Sequence, residues 1–269
     1  MVIKIMKIGF IGLGNMATAM MGGMIRNHIV EASDIYGADA LEAAEERASE
    51  NLKIHLPGGN KQVVRQSDVI VLSVKPQFYE QVIAEIKDVV TPEKRIVTIA
   101  PGKTLAWLKE QFGKEVKIVR CMPNTPALVG EGCTGVCRNS SVTEEEFEEI
   151  MTMLNSFGKA HYVPEHLMDT VVSVSGSAPA YVFMMIEAMA DAAVSDGMAR
   201  KDAYEFAAQA VYGSAKMVLE TGKHPAELKD MVCSPAGTTI EAVRVLEEKG
   251  FRSALIEAMK ACTEKSRKL

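Results

Sequence analysis

The sequence lacks any surplus of basic residues. It has 30 lysines and arginines against 35 aspartates and glutamates, a formal net charge of -5 over 269 residues. A protein that binds nucleic acid through its phosphates needs a basic surface, and this composition gives no sign of one. We therefore expect no nucleic-acid partner.

The cysteine pattern of a disulfide framework or a metal site is also lacking. The five cysteines are an odd number without regular spacing, which fits a reducing compartment better than secretion. Cys133 and Cys137 lie four positions apart, but no second pair and no nearby histidine completes a metal site. We expect a cytoplasmic protein that holds no metal.

No apolar run is free enough of polar residues to indicate a membrane segment. The first apolar residues are interrupted by Lys4 and Lys7 and end in a glycine motif, unlike a secretory signal peptide. The most apolar later stretch, 171–194, contains three serines together with Glu187 and Asp191. We expect it to be a buried helix of a soluble protein rather than a membrane span.

A glycine motif close to the N-terminus predicts a dinucleotide site. The apolar run 7–11 leads into Gly12, Gly14 and Ala17 in the pattern Gly-x-Gly-x-x-Ala, and apolar residues at helical spacing follow. That order is typical of a strand, a tight turn and a helix whose free amides face a pyrophosphate. Gly12 would make the turn and Gly14 would leave room for the phosphates. The alternative is that the glycines form a turn and nothing more.

Asp39 lies 22 positions beyond Ala17, at the end of a short predicted strand, 34–38. An acidic residue at this place in a dinucleotide fold takes the adenosine ribose 2′-hydroxyl and would repel a 2′-phosphate, which favours NADH over NADPH. Two alternatives stay open. Asp39 could instead cap the next helix, predicted over 40–50, and the nearby Arg47 could still serve a phosphate.

Strand and helix patterns alternate through residues 1–164. Further strands are predicted at 69–74, 95–100, 116–119, 132–137 and 159–163. A helix is predicted over 105–112, and Thr143 with Glu146 predicts a capping box at the start of another helix. Such alternation predicts an α/β Rossmann domain with a doubly wound, mostly parallel sheet.

From 165 to 269 helix signals dominate and predict an all-α dimerisation and substrate-binding domain. Helices are predicted over 166–175, 178–195, 200–220, 225–232, 238–249 and 252–267. Two of them are apolar on several faces, and a domain of about a hundred residues can bury few such helices. We therefore expect a partner subunit to complete this half, the alternative being a self-sufficient bundle.

Two loops of the helical half, 175–181 and 233–239, place small residues and hydroxyls ahead of a helix. Amides at a helix start suit a carboxylate, although plain N-capping by Ser177 or Thr238 would explain the same residues. The long helix that follows Ser177 contains no lysine and no histidine, so alcohol oxidation lacks a general base. A protonated imine already attracts a hydride, and a hydroxyl such as that of Thr239 beside its nitrogen could suffice.

These motifs resemble those of the pyrroline-5-carboxylate reductase family, nearly end to end. The resemblance rests on the stretches 9–16, 74–76, 120–126, 175–181 and 234–239, of which the last three are highly specific. It implies hydride transfer from NADPH or NADH to 1-pyrroline-5-carboxylate, giving L-proline. It also implies a homodimer whose helical domain swaps around the dimer axis, so that each site uses two chains, with dimers commonly forming decamers.

The resemblance assigns roles by motif. The Thr239 hydroxyl would face the ring nitrogen as the catalytic group, and the 234–238 turn would take the substrate carboxylate. The substrate-binding residues are expected to be Ser177, Ser234, Gly237, Thr238 and Thr239. The cofactor-binding residues, with Asp39 added from its spacing, are expected to be Ile11, Gly12, Leu13, Gly14, Asn15, Met16, Asp39, Asn60, Ser73, Val74, Lys75, Pro76, Ile99, Ala100 and Pro101.

Two departures from the family pattern qualify these expectations. Ala236 stands where the last motif usually has a glycine, and an alanine is strained there if the position requires a positive φ. Asp39 replaces the basic or hydroxyl residues that often take a 2′-phosphate, so the preference between NADPH and NADH stays open. Two alternative functions also remain: reduction of a related cyclic imine or short hydroxy acid, and nucleotide sensing without catalysis.

Overall fold

The computed structural model of the protein describes residues 6–268. Within that range the chain forms one sheet and a series of helices. The strands are β1 (Ile8–Ile11), β2 (Ile35–Ala38), β3 (Val69–Leu72), β4 (Arg95–Thr98), β5 (Lys117–Met122), β6 (Gly132–Arg138) and β7 (Gly158–Tyr162). The helices are α1 (Asn15–Arg26), α2 (Glu42–Leu52), α3 (Asn60–Gln66), α4 (Tyr79–Ile86), α5 (Leu105–Phe112), α6 (Glu144–Leu154), α7 (Met168–Val171), α8 (Ala178–Ser195), α9 (Arg200–Thr221), α10 (Pro225–Val232), α11 (Thr238–Glu248) and α12 (Phe251–Ser266).

The sheet has the order β2-β1-β3-β4-β5-β6-β7, and only the β5–β6 pair is antiparallel. Its central strands are apolar on both faces because helices cover both faces. Phe10 of β1 belongs to one buried cluster, whereas the next residue, Ile11, belongs to the other. The predicted Rossmann-type, mostly parallel sheet followed by helices is confirmed.

The described chain divides into two compact units. The first comprises the described residues up to Ser177 together with those from Cys262 onward, and the second is Ala178–Ala261. Inside the first unit, the end of α12 bonds back to α7 and to the turn that follows it. Thr263 Oγ1 lies 2.9 Å from Ser173 Oγ, and Ser266 Oγ donates to Asp169 Oδ1 at 2.7 Å. The predicted boundary at residue 164 stays a prediction.

Two predicted helices differ clearly from those observed. Instead of one helix over 166–175, α7 is followed by a π-helical turn, Val172–Gly176, in which Ser177 N donates to Val172 O at 2.7 Å. A π-helical turn inserts one extra residue into the helix, and a single insertion within ten residues is too short for the apolar pattern to reveal. Helix α2 begins at Glu42, not at residue 40. The capping box predicted from Thr143 and Glu146 is present at α6.

The helix expected within 171–194 is not buried by this chain, and its expected burial by a partner subunit stays a prediction. Only Ala190 of α8 is buried, and the apolar side chains of Phe183 and Met184 are 62% and 68% exposed. The pattern correctly indicated apolar faces but cannot say whether the same chain covers them. Among the described residues, one helical stretch, Glu165–Ser195, is long and apolar enough by length and composition to cross a membrane, which is weak evidence of a span.

Candidate active site

The glycine loop after β1 is held in a conformation that only glycine tolerates. Gly12 has φ 96°, and a Cβ there would lie 2.8 Å from the backbone carbon of Ser73 and the nitrogen of Val74. Its amide donates to Ala38 O at 2.8 Å. The loop thus turns sharply while lying against the end of β3.

Gly14 is the N-cap of helix α1 and supplies no side chain to cap the first-turn amides. A Cβ on Gly14 would meet no other atom within 4 Å, so the space in front of the helix start is open. Asn15 is exposed and Met16 half-buried, whereas Ile11, Leu13 and Ala17 are buried beneath them. An open helix start with uncapped amides is suited to a pyrophosphate.

Asp39 binds the glycine loop through its carboxylate. One oxygen accepts the Leu13 amide at 2.7 Å and the other accepts the Leu41 amide at 2.9 Å. Leu41, not Asp39, is the N-cap of α2 and makes no side-chain cap bond, so the helix-cap alternative is wrong. A negative charge therefore lies beside the loop at the end of β2, where a ribose is expected.

Ser73 connects the end of β3 to the same loop. Its hydroxyl lies 2.6 Å from Gly12 O and 3.1 Å from Ile11 O, and its amide donates to Ile11 O at 2.9 Å. The hydroxyl proton is thus committed to the backbone of the loop. The other predicted nicotinamide-side residues follow β3 and β4: Lys75 is exposed, Val74, Pro76, Ile99 and Pro101 are half-buried, and Ala100 is buried.

Asn60 is the first residue of α3, directly after Gly58 and Gly59, both of which have positive φ. Its side-chain amide donates to Glu85 Oε2 at 2.8 Å on the surface. Its predicted place along the cofactor stays a prediction.

The loop 175–181 is held in part by Asn124, a residue of the 120–126 motif that has no predicted role. Asn124, which is 8% exposed, donates from Nδ2 to Ser175 O at 3.1 Å and accepts the Cys133 amide at 2.8 Å. Ser177 Oγ accepts a hydrogen bond from Cys262 Sγ at 3.3 Å. The signal was available, since Asn124 follows a predicted strand at the edge where ligands bind.

The loop 233–239 contains a tight turn within the second unit, Ala178–Ala261, which is called the helical unit below. Gly237 N donates to Ser234 O at 3.0 Å, with Pro235 second and Ala236 third in the turn. Ala236 has φ 56°. Proline second and a positive φ third are the features of a type II turn, in which the third residue is normally glycine. The family's usual glycine thus has a conformational reason, and Ala236 is strained.

Helix α11 begins at this turn without a side-chain cap. Gly237 is its N-cap, and a Cβ there would lie 2.3 Å from Ser234 Oγ. Thr238 is the first helical residue rather than the cap, so the capping alternative is wrong for this loop. Thr238 and Thr239 are both exposed. Uncapped amides beside two exposed hydroxyls are suited to a carboxylate.

The residues described by the structure offer no cluster of three or more histidine, cysteine or acidic side chains that could hold a metal. The two most buried thiols are not poised as nucleophiles. Burial raises the pKa of Cys137 to about 12 and that of Cys121 further. The glycine loop and its neighbours thus offer backbone amides, the Asp39 carboxylate and the exposed Lys75 side chain, and the 234–239 turn offers backbone amides and hydroxyls.

Two family models match the chain. Residues 165–269 match the model described as pyrroline-5-carboxylate reductase dimerisation, and residues 7–102 match NADP oxidoreductase coenzyme F420-dependent.

Curated relatives match over almost the whole length. The pyrroline-5-carboxylate reductase of Escherichia coli (strain K12) is 51% identical over 98% of this chain and 98% of its own. The enzyme of the same name from Methanosarcina acetivorans is 43% identical over 98% of this chain and 97% of its own.

Two solved structures are similar to this chain over almost its whole length. The Coxiella burnetii pyrroline-5-carboxylate reductase superposes with a TM-score of 0.91 at 32% identity, covering 98% of each chain. The Plasmodium falciparum pyrroline carboxylate reductase with NADP bound gives 0.89 at 32% identity, covering 97% of each.

Replacing Ala236 with glycine should stabilise the protein. Relief of the left-handed conformation returns about 1–2 kcal/mol, of which roughly 0.4–1 kcal/mol is offset by the greater freedom of glycine in the unfolded chain. Denaturant unfolding at fixed protein concentration should therefore show a higher free energy of unfolding for Ala236→Gly.

The matched control is Ala242→Gly, the same change at an exposed position inside α11. That variant should lose about 1 kcal/mol, because glycine weakens a helix interior. Equal losses from both variants would show that position 236 is not strained.

Proposed function

The chain belongs to the pyrroline-5-carboxylate reductase family. On that basis we propose a role for each site residue in the reaction. The reaction transfers a hydride from NADPH or NADH to the C=N bond of 1-pyrroline-5-carboxylate and gives L-proline, the last step of proline biosynthesis. The observation that carries the assignment is a pair of helix starts, those of α1 and α11, each opening at a glycine without a side-chain cap.

The first helix start is assigned to the cofactor. The amides of residues 12–16 bind the pyrophosphate, since negative charge is favoured at an uncapped helix start. Residues 73–76 and 99–101, which follow two neighbouring strands, line the nicotinamide, and Asn60 lies along the cofactor. Bound NAD(P)H supplies the hydride; the protein supplies binding and orientation.

The second helix start is assigned to the substrate. The turn 234–238 takes the carboxylate on its amides and hydroxyls, and Ser177 contributes a further hydroxyl. The Thr239 hydroxyl bonds the ring nitrogen and so fixes the orientation of the imine carbon. With the nitrogen protonated, two electrons arrive with the hydride, the C=N double bond becomes a single bond, and the nitrogen becomes the neutral secondary amine of the ring. No enzymic base is needed.

Asp39 is proposed to make NADH the better cofactor of this chain. Its carboxylate already accepts two backbone amides beside the ribose position, which fixes its negative charge there. A ribose hydroxyl can donate to that carboxylate, whereas a 2′-phosphate would be repelled. Arg47 is exposed, and its charge is screened by solvent.

The chain self-associates through its dimerisation domain and acts on a small molecule. We propose a homodimer formed by the helical domain, with dimers assembling into decamers. The support is an unusual exposure of apolar side chains in the helical unit, including Phe206 at 69% and Leu219 at 84%. Patches of this kind mark interfaces.

The remaining assignments concern boundaries and location. We propose a cofactor domain over 1–164 and a dimerisation domain over 165–269, the latter supported by the range of the matching family model. A cytoplasmic location is proposed from the five free thiols, two of them buried, which suit a reducing compartment.

The wild-type protein should oxidise NAD(P)H with pyrroline-5-carboxylate, and Thr239→Val should lower turnover by about tenfold or more while leaving cofactor binding unchanged. Valine keeps the shape of threonine but cannot bond the ring nitrogen. The measurement is NAD(P)H absorbance with purified protein, and Thr239→Ser is the control that keeps the hydroxyl.

Unchanged turnover in Thr239→Val would remove Thr239 from the mechanism.

The wild-type protein also tests the proposed function as a whole. Turnover of a hydroxy-acid precursor but not of pyrroline-5-carboxylate would favour the alternative substrate class, and cofactor binding without any turnover would favour a sensor.

Asp39→Ser should shift preference towards NADPH. The serine removes the charge that repels a 2′-phosphate and keeps a hydrogen-bonding group near the ribose. The measurement is kcat/KM with NADH and with NADPH for both proteins, and the ratio should move by about tenfold or more. The same ratio in both proteins would leave Asp39 only its contact with the glycine loop.

Phe206→Glu should weaken or abolish association, because a charge would be buried at the proposed interface. Sedimentation velocity of the purified protein measures the assembly. The control is Val129→Glu, which alters an apolar side chain that is 77% exposed outside the helical unit and should leave at least the dimer intact. A wild-type monomer at micromolar concentration would contradict the proposed dimer.

A further inference from the structure

A buried tyrosine ties together the two strand ends that precede the proposed nicotinamide residues. Tyr79 Oη lies 2.6 Å from Leu72 O, the last residue of β3, and 2.9 Å from Oγ1 of Thr98, the last residue of β4. Tyr79 and Thr98 are both 0% exposed. The tight Lys75-Pro76 turn brings the chain back so that Tyr79, the first residue of α4, reaches under both ends.

The direction of these hydrogen bonds follows from the chemistry of the groups. A carbonyl oxygen can only accept, so the single phenol proton is donated to Leu72 O. The Thr98 hydroxyl must then donate to Tyr79 Oη. Its own lone pairs are left to face the Ala100 amide, which lies 3.5 Å away. Burial raises the pKa of Tyr79, so the phenol keeps its proton at any pH at which the enzyme works.

The chain of bonds begins and ends at residues of functional interest. Leu72 directly precedes 73–76, and Ala100 lies within 99–101. Both segments are assigned to the nicotinamide under the proposed function, on which this inference rests. Because neither hydroxyl reaches the surface, neither can touch the cofactor. The two hydroxyls can therefore affect the cofactor only through the positions of the backbone segments to which they are bonded.

We propose that Tyr79 and Thr98 are positioning residues for hydride transfer: their hydroxyls fix the spacing of the two backbone segments that orient the nicotinamide ring. The ring must present one carbon to the imine at close range, and a misplacement of about 1 Å can cost roughly 10²-fold in rate. Under the proposed function the pyrophosphate and the adenosine ribose are held by other residues, those of the glycine loop and Asp39. Loss of the hydroxyls should therefore slow the hydride step without weakening cofactor binding.

The test compares Tyr79→Phe and Thr98→Val with Thr98→Ser, which keeps the hydroxyl. Single-turnover hydride transfer to pyrroline-5-carboxylate should slow by about tenfold in the first two variants, with the cofactor Kd changed by less than about twofold. Thr98→Ser should retain most of the wild-type rate. The double variant should lose no more than either single one, because one chain of bonds is broken in each case.

A matched control comes from β6. Thr134 is 1% exposed, and its hydroxyl has no hydrogen-bond partner among the residues that the structure describes. Thr134→Val also removes a buried threonine hydroxyl from the sheet, but it should leave the rate unchanged. Unaltered rates in Tyr79→Phe and Thr98→Val, or losses that Thr98→Ser does not restore, would overturn the proposal.

A second readout does not depend on the substrate. Bound NADH fluoresces from its nicotinamide ring, and a loosely held ring should show lower anisotropy in Tyr79→Phe and Thr98→Val than in the wild type and Thr134→Val. If wild-type protein failed to reduce pyrroline-5-carboxylate, the proposed function would fall while this measurement still decided the role of the two hydroxyls. Equal anisotropy in all four proteins would overturn the positioning role.

Discussion

The carboxyl ends of the parallel strands are held in one row by side-chain hydrogen bonds, and the cofactor half of the site depends on that constraint. Asp39 binds the glycine loop from the end of β2, and Ser73 binds it from the end of β3. Tyr79 and Thr98 then join β3 to β4. Strand pairing alone fixes the strands; these bonds fix the irregular segments beyond them, where pairing has ceased.

A site held in this way suits a reaction that needs little acid–base catalysis from the protein. A protonated imine needs a hydride delivered from the correct direction and a carboxylate held at a fixed distance. The described groups supply backbone amides at two uncapped helix starts, together with hydroxyls, and no cluster able to hold a metal. Self-association also accounts for the exposed apolar faces of the helical unit, because a chain that self-associates need not cover them by itself.

The sequence predicted much of this architecture because its information is local. Apolar periodicity predicted α5 and α8 with the observed bounds, and the capping box located the start of α6. The strain at Ala236 could be anticipated only conditionally, since a φ value belongs to the folded turn. The π-helical turn before Ser177 was missed because one inserted residue in so short a segment cannot be recognised from the apolar pattern.

What could not be predicted depends on contacts between distant residues. The bond from Tyr79 to Thr98 joins residues 19 positions apart on different elements, and that from Thr263 to Ser173 joins residues 90 apart. Most of α8 is exposed within this chain, and an apolar sequence pattern indicates apolar faces without showing what covers them. Asn124 is the exception, because its place in the 120–126 motif, shortly after a predicted strand, already indicated a position at the ligand-binding edge of the sheet.

The most direct test of the account is to follow the hydride itself. The protein is incubated with pyrroline-5-carboxylate and NAD(P)H deuterated at either face of nicotinamide carbon 4, and the product is examined by mass spectrometry and NMR. The account predicts that one of the two cofactors gives L-proline carrying a single deuterium on the ring carbon that is bonded to nitrogen and lacks the carboxylate. Proline without deuterium from both cofactors, or deuterium at any other carbon, would contradict it.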